Sequence, residues 1–310
     1  RLRFAHACYV AGKAHPETDI IDGLNFTTYA PAYYIAKKLK KPCVITYHET
    51  WVGEWIKNKG LVTGLPYEVY ERMLLRLPYT ALTSVSEYTR KRLILHGIPK
   101  EKIKVIPNGV DVSAIERIQL EKQPTHQSPA RNPAIVCAAR LIPGKRIDDL
   151  FYAIVLIKKK IPNIRCLIIG KGPEYPNLVQ LTRTLNIREN VSFLGFLESH
   201  EEVLKIIKSS HIFCLPSVVE GFGIVVVEAL ACGVPPVCAD IPPLVEVTRN
   251  GTGSMLFRQK SPEDLAEKLL TLLQDKSLYK KKHSEALALA KDYDWNIIAR
   301  ATEHYYHQLM

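Results

Sequence analysis

Long apolar runs are absent from this 310-residue sequence. No stretch reaches the roughly 18 apolar residues that a membrane-crossing helix needs, so none is expected. No signal-peptide pattern is present either. Cysteine is sparse: seven residues, with no C-x-x-C pair. Cys137, Cys166, Cys214 and Cys238 lie in apolar, strand-like runs. An odd count without a framework predicts reduced thiols in a cytosolic protein. The N-x-S/T triplets at Asn25, Asn190 and Asn250 then carry no meaning. Internal repeats and low-complexity tracts are missing too. His6 and Cys8 do not make a metal site on their own.

Acidic residues are in deficit, with 31 Asp and Glu against 42 Lys and Arg, a net charge of +11. The excess is concentrated early: residues 1–112 hold 17 basic and 10 acidic residues. Clusters there include Lys37, Lys38, Lys40 and Lys41, then Arg90, Lys91 and Arg92. Such a surface suits anionic lipid, nucleic acid or phosphorylated substrates; a solvated face is the alternative. Nucleic acid is not expected, because no aromatic-basic motif accompanies the charge. The hydrophobic share, 47%, is that of a globular chain, and the length suggests two domains.

From Pro133 onward, strand and helix patterns alternate. AIVCAAR (134–140), RCLIIG (165–170), VSFLGF (191–196), HIFCLPS (211–217), PPVCA (235–239) and GSMLF (253–257) read as strands. Helical patterns cover 146–160, 174–186, 200–209 and 222–232. This alternation predicts an α/β fold, a parallel sheet covered on both faces in a doubly wound domain of Rossmann type. The first third repeats the grammar with fewer strands: DIID (19–22), CVITYH (43–48), TALTSVS (80–86) and KIKVIPN (102–108), with helices at 30–40, 66–77 and 87–96. The chain also starts at Arg1 instead of Met. Together these predict a first domain, residues 1–118, that is incomplete at its start. A polar stretch with Pro124, Pro129 and Pro133 makes 119–133 a linker. The second domain is expected over 134–290. A final helical segment, 291–310, places Trp295, Ile298, Ala301, Tyr305 and Leu309 near one face, with Asp294 as its N-cap.

The chemistry concentrates in a few loops. In EGFGIVVVEALACGVPPV (220–237), Gly221, Phe222 and Gly223 follow a strand and open a helix. A helix N-terminus offers unpaired N–H groups and a positive dipole, and glycine lets a phosphate approach the backbone. A plain strand-to-helix turn is the alternative. Glu220 and Glu228 sit in apolar surroundings, where a carboxylate needs a partner. Glu228 can accept ribose hydroxyls and Glu220 can face what hangs beyond the phosphates; protein cations are the other possible partners. Ile224, Val226, Val227 and Leu230 read as core, and Gly233 as the helix stop. In RLIPGK (140–145), Arg140 and Lys145 place two cations at the carboxyl end of a strand, where open α/β sheets bind ligands. A solvated basic loop is the alternative. GKGPEY (170–175) is a broken G-x-G-x-x-G, with Tyr175 in the third place, and reads as a crevice loop and not as an NAD fingerprint. His48 ends a strand and can hold a sugar hydroxyl, or be an ordinary half-buried histidine. Asp292-Tyr293-Asp294 follows a helical run, so a turn explains it better than metal binding.

These segments occur in a recognisable order. VSEYTRKRL (85–93), VIPNGVD (105–111), AARLIPGKRIDDL (138–150), IIGKGPE (168–174), VSFLGF (191–196) and EGFGIVVVEALACGVPPV (220–237) resemble retaining glycosyltransferases of the GT-B architecture, most closely glycosyltransferase family 4, glycosyl transferases group 1. The matches cover most of residues 44–257. The resemblance implies two Rossmann-like domains facing across a cleft. It implies that His48, Glu220, Arg140 and Lys145 form the catalytic set. Arg140 and Lys145 would clamp the diphosphate, Gly223 and Ile224 would donate to it from the backbone, and Glu228 would accept from the ribose. Glu220 and His48 would orient the transferred sugar. Lys171, Gly172, Phe196 and Leu197 would flank the base, with Gly221 and Phe222 completing the donor loop. The family's Gly-rich loop after its first strand has no match, and Pro242-Pro243 stands where that family often has glycine.

The expected reaction is retaining transfer of a hexosyl group from a nucleotide diphosphate sugar to a glycan or lipid-linked acceptor, with no metal and no cofactor beyond the donor. The alternatives are a non-catalytic nucleotide-sugar binder and a GT-B-fold sugar epimerase. The expected place is the cytoplasm, peripheral on the inner, anionic face of the membrane. The empty protein is expected to leave Glu220 and Glu228 under-paired, awaiting hydroxyls.

Overall fold

The computed structural model describes residues 2–120 and 133–310, apart from the side chains of Leu2 and Asn58. Residues 121–132, most of the expected linker, lie outside the described residues. The chain forms two compact units: residues up to Asn108 together with Asn296–Met310, and Gly109–Trp295.

The first unit runs α1 (Leu2–Gly12), β1 (Ile21–Gly23), α2 (Tyr29–Leu39), β2 (Cys43–Tyr47), α3 (Trp55–Leu75), β3 (Ala81–Ser84), α4 (Glu87–Leu95) and β4 (Ile103–Val105). The four strands pair in parallel in the order β1-β2-β3-β4. In β3 all four residues are buried, the mark of a strand covered on both faces. On α2, Tyr29, Ala32, Ile35 and Ala36 fall on one helical face and are buried. Ser86 caps α4 by accepting from Thr89 N at 3.0 Å. The segment α3 begins eleven residues before the expected helix start at 66, and it breaks at Gly60, whose φ of 73° is left-handed.

The second unit holds α5 (Val112–Arg117), β5 (Ala134–Ala138), α6 (Ile147–Lys158), β6 (Arg165–Ile169), α7 (Tyr175–Thr184), β7 (Val191–Gly195), α8 (His200–Ser209), β8 (Ile212–Leu215), α9 (Ile224–Ala231), β9 (Pro236–Ala239), α10 (Pro242–Val247), β10 (Met255–Phe257), α11 (Pro262–Gln274) and α12 (Lys276–Ala290). Its six strands are all parallel, in the order β10-β9-β8-β5-β6-β7. Counted from β5 as the first, that is the Rossmann order 3-2-1-4-5-6. Central strands β5, β8 and β9 are buried throughout, whereas edge strand β7 alternates. Six of the seven cysteines are buried and all are free thiols.

Residues 109–118, expected with the first domain, pack with the second unit. Val110 N donates to Tyr293 O at 2.8 Å, and Trp295 N donates to Val110 O at 3.0 Å. Lys208 Nζ donates to the carbonyls of Ile115, Glu116 and Ile118 at 2.9, 3.1 and 2.9 Å. A lysine thus satisfies the orphan carbonyls at the end of α5. The last helix, α13 (Trp295–His307), leads back into the first unit, where Tyr306 OH donates to Asp22. Within that unit α13 buries Ile298 and half-buries Thr302, Tyr305 and Tyr306, with Leu309 half-buried just past its end, while Ala301 is exposed. Trp295, placed on the same face by the sequence, is exposed.

Candidate active site

Parallel strands bring every strand-end loop of the second unit to one sheet edge. The switch point lies between β5 and β8, where the order reverses, and ligands of open α/β sheets bind there. Arg140 follows β5 by two residues and is exposed, with no ion-pair partner among the described residues. Lys145 ends the tight turn Pro143–Lys145 just before α6. Across the switch point, Val218 N donates to Gly144 O at 3.0 Å and stitches the two loops together.

The same stitch carries an ion pair. Lys145 Nζ donates to Glu220 Oε1 at 2.6 Å, with side chains only 15% and 12% exposed. The expectation of an under-paired Glu220 is therefore overturned: the lysine predicted to clamp phosphate holds it. A part-buried carboxylate left alone would pay heavily in desolvation, and the nearest cation satisfies it.

Past Glu220, Gly223 opens α9 at φ 91°, a left-handed conformation. A Cβ there would lie 2.6 Å from Leu244 Cδ2, so both the backbone and the neighbouring side chain favour glycine. Leu244 belongs to α10, whose first turn begins with Pro242 and Pro243; proline suits a first helical turn because its missing N–H would have no intrahelical partner. Phe222 is buried, edge-on to Tyr293 with ring centroids 5.8 Å apart. Its side chain is core, leaving its backbone to the loop along with Gly221 and Ile224. Val226, Val227 and Leu230 are fully buried, as expected, whereas Ile224, also expected in the core, is half-buried. The helix ends in a Schellman motif: Gly233 N donates to Leu230 O and Val234 N to Ala229 O, both at 2.9 Å.

Glu228 lies one turn into α9 and is 7% exposed. Its Oε1 is 2.9 Å from His200 Nε2, which stands on the first residue of α8. Burial pushes the Glu228 carboxyl above the ordinary carboxylate range, and His200 opposes the shift. Glu228 is thus also not under-paired. His200 escaped the sequence reading: it is a polar residue at a helix start, outside any motif, and its partner is set only by the fold.

On the far side of β5 the GKG loop closes in. Gly170 and Gly172 approach backbone so closely that a Cβ would lie 2.0 Å from Ala139 O and 2.2 Å from Leu141 O. Leu141 N also donates to Lys171 O at 3.0 Å. These glycines serve loop-to-loop packing. Lys171 Nζ sits 4.4 Å from the ring centroid of Phe196, which is largely exposed at the end of β7; Leu197 is half-buried beside it. The fold so brings together two pairs that the sequence singled out, Lys145 with Glu220 and Lys171 with Phe196. Of the D-x-D residues, Asp292 pairs with Arg249 at 2.7 Å, and Tyr293 OH donates to Val247 O.

In the first unit, His48 follows β2 and, as a whole residue, is exposed. The surrounding protein holds its pKa below the ordinary imidazole value, against a hydrogen bond with the Leu24 backbone. The loop after it is strapped from below. Arg92 donates to Thr50 Oγ1 at 3.0 Å and Val52 O at 2.9 Å. Glu68 accepts from Gly53 N at 2.8 Å, and Glu71 accepts from Trp51 N at 3.2 Å and Trp55 Nε1 at 2.5 Å. Burial pushes the Glu71 carboxyl up to about 7, with the Trp55 hydrogen bond opposing. Glu68 and Glu71 carried no signal in the sequence, because carboxylates on a helix usually face water.

Several known proteins are similar to this chain in sequence or in fold. D-inositol 3-phosphate glycosyltransferase of Nocardia farcinica is 27% identical over 259 residues, 77% of this chain and 56% of that protein. Glycogen synthase of Mycobacterium tuberculosis is 27% identical over 292 residues, 93% of this chain and 68% of that protein. The chain thus spans between half and about two thirds of the length of these relatives. Among solved structures, Anabaena HepE in complex with UDP and glucose superposes with a TM-score of 0.83 at 21% identity, over 99% of this chain and 82% of that one. Sucrose-phosphate synthase from Thermosynechococcus elongatus gives 0.77 at 20%, over 99% and 77%. Both share the fold, two parallel α/β sheets of the GT-B kind. Residues 2–114 match Glycosyltransferase Family 4, and residues 119–287, over half the chain, match Glycosyl transferases group 1. The chain belongs to the group 1 glycosyltransferases of family 4.

Proposed function

We propose that the protein transfers a hexosyl group from a nucleotide diphosphate sugar to a glycan or lipid-linked acceptor, with retention at the anomeric carbon and without a metal. The observation that carries this is the arrangement at the switch point. Lys145 and Glu220 face each other across it, Gly223 opens α9 beside them, and Glu228 is buried one turn further on. Cations, helix N–H groups and a carboxylate in that order match a diphosphate followed by ribose. HepE, solved with UDP and glucose, supports the donor class by its similar fold.

The chemistry follows from charge. The leaving diphosphate gains negative charge as the glycosidic bond breaks. Arg140, Lys145 and the start of α9 stabilise that charge by fixed electrostatics. Lys145 is engaged by Glu220, so a diphosphate competes for it. Glu220, once released, is free to accept from a hydroxyl of the transferred sugar. Glu228 exchanges His200 for ribose hydroxyls in the same way. Gly221, Gly223 and Ile224 offer backbone, Phe222 supports the loop from beneath, and Lys171, Gly172, Phe196 and Leu197 flank the base. His48, held neutral at pH 7 by its lowered pKa, suits a hydroxyl of the donor sugar.

The acceptor belongs to the first unit, whose positive charge suits an anionic membrane surface and a cytoplasmic, peripheral setting. Among the described residues no helix is long and apolar enough to cross a membrane. A thermal-shift screen of nucleotide sugars tests the donor reading, since a bound donor stabilises by mass action. Glu228→Ala and Lys145→Ala are each expected to lower donor affinity or turnover roughly tenfold or more, about 1.4 kcal/mol. Unchanged kinetics in both overturn the assignment.

A further inference from the structure

The part of α3 after its break at Gly60 carries an unusual outer face. Leu61, Leu65, Val69 and Met73 recur every four residues, with Val62 beside them, so they share one side of the helix. All five are exposed, from 47% at Leu65 to 90% at Val62. The inner side is the one the core uses: Glu68, Glu71, Leu74 and Leu75 are buried. Single exposed apolar residues are ordinary, whereas a continuous row on one helix marks a contact surface.

The exposed charges near the row are mainly cations. Arg76 lies along it and Lys59 precedes the break; Arg72, also exposed, is ion-paired to Glu68 at 2.7 Å, and Lys57 to Glu54. Glu68 and Glu71 are turned inward into hydrogen bonds with the loop after His48. Glu54 is paired with Lys57 at 3.0 Å. The segment from Glu54 to Arg76 so presents apolar side chains and cations, with no unpaired carboxylate. Residues 61–75 extend about 22 Å, too short to cross a bilayer, and their inner side is occupied by protein.

We infer that this face of α3 docks the protein onto an anionic lipid bilayer. The apolar row enters the boundary between headgroups and acyl chains, and the Arg and Lys side chains meet lipid phosphates. A bilayer answers both features at once: a helix lying in its surface needs an apolar row for the interior and cations at the rim. The inference deepens the reading of a lipid-linked acceptor, but its test needs neither acceptor nor donor.

The test is flotation of the whole protein with vesicles of phosphatidylcholine alone and of phosphatidylcholine mixed with phosphatidylglycerol. The protein is expected to float with the mixed vesicles, less so as salt rises, and not with the neutral ones. Val62→Glu with Leu65→Glu, and separately Lys59→Glu with Arg76→Glu, are expected to lower binding roughly tenfold or more. Both double variants should keep the wild-type circular dichroism, which shows the fold intact. A wild type that stays down with the mixed vesicles overturns the inference, as do folded variants that float like the wild type. It is equally overturned if the row proves to join two copies, seen as a dimer that the apolar variant abolishes while no flotation occurs. Flotation without any donor-induced thermal shift leaves the inference standing and removes the donor reading instead.

Discussion

Lys145 and Glu220 form a 2.6 Å ion pair across the switch point of the second sheet. Each partner satisfies the other, so under the proposed donor reading a diphosphate bound to Lys145 replaces Glu220. Glu220→Gln removes the competitor while leaving Lys145 in place. A nucleoside diphosphate lacking sugar is then expected to bind several-fold tighter, while sugar transfer falls roughly tenfold or more. Calorimetry and turnover assays on the same variant read both; weaker diphosphate binding would show that Glu220 does not compete for the lysine.

His200→Ala leaves Glu228 buried and without its imidazole partner. Burial then acts unopposed, so the Glu228 pKa rises further. The acid limb of donor affinity against pH is expected to move to higher pH. Stability should fall by about 1–3 kcal/mol, the cost of an orphaned buried acceptor. Thermal unfolding and a pH series of binding isotherms check the two effects; an unmoved acid limb separates His200 from Glu228.

Glycine substitutions should divide by what each glycine faces. Gly172→Ala would press a Cβ to 2.2 Å from a backbone carbonyl that cannot turn aside, and loss of folded protein is the expected result. Gly223→Ala meets the flexible tip of Leu244 but must also hold φ 91°, which costs about 1–3 kcal/mol. It should fold, with weakened donor binding. Expression yield and denaturant midpoints distinguish them.

Glu71 ties stability to pH. Its folded pKa, about 7, lies above the 4.5 of an exposed carboxyl. The folded state therefore binds more protons between these values, and stability falls as pH rises from 4.5 to 7. The full displacement corresponds to about 3 kcal/mol. Glu71→Gln is expected to flatten this part of the stability profile relative to wild type. Parallel slopes for the two proteins would assign the dependence elsewhere.

Much of the second unit was legible in the sequence. AIVCA, IFCL and PVCA are strands buried on both faces, and such strands announce themselves as unbroken apolar runs. The start of α9 was legible through Gly223, and its end through Gly233 and the prolines after it. The early part of α3 was not: glycine and proline interrupt helical patterns, and the chain does break at Gly60 but continues as helix through Pro66. The partners of the two glutamates were the larger miss. Motif spacing places a carboxylate on an element, but which cation or imidazole meets it depends on neighbours far away in sequence: 75 residues for Lys145 and Glu220, 28 for His200 and Glu228.

The strap beneath the loop after His48 has a consequence for recognition. With Thr50, Trp51, Val52 and Gly53 each fastened to α3 or α4, the backbone around the imidazole is ordered before any sugar arrives. What remains to be chosen on binding is a side-chain rotamer. The entropy of arranging that loop is spent during folding, so the hydroxyl recognition proposed for His48 would draw on a preformed mount.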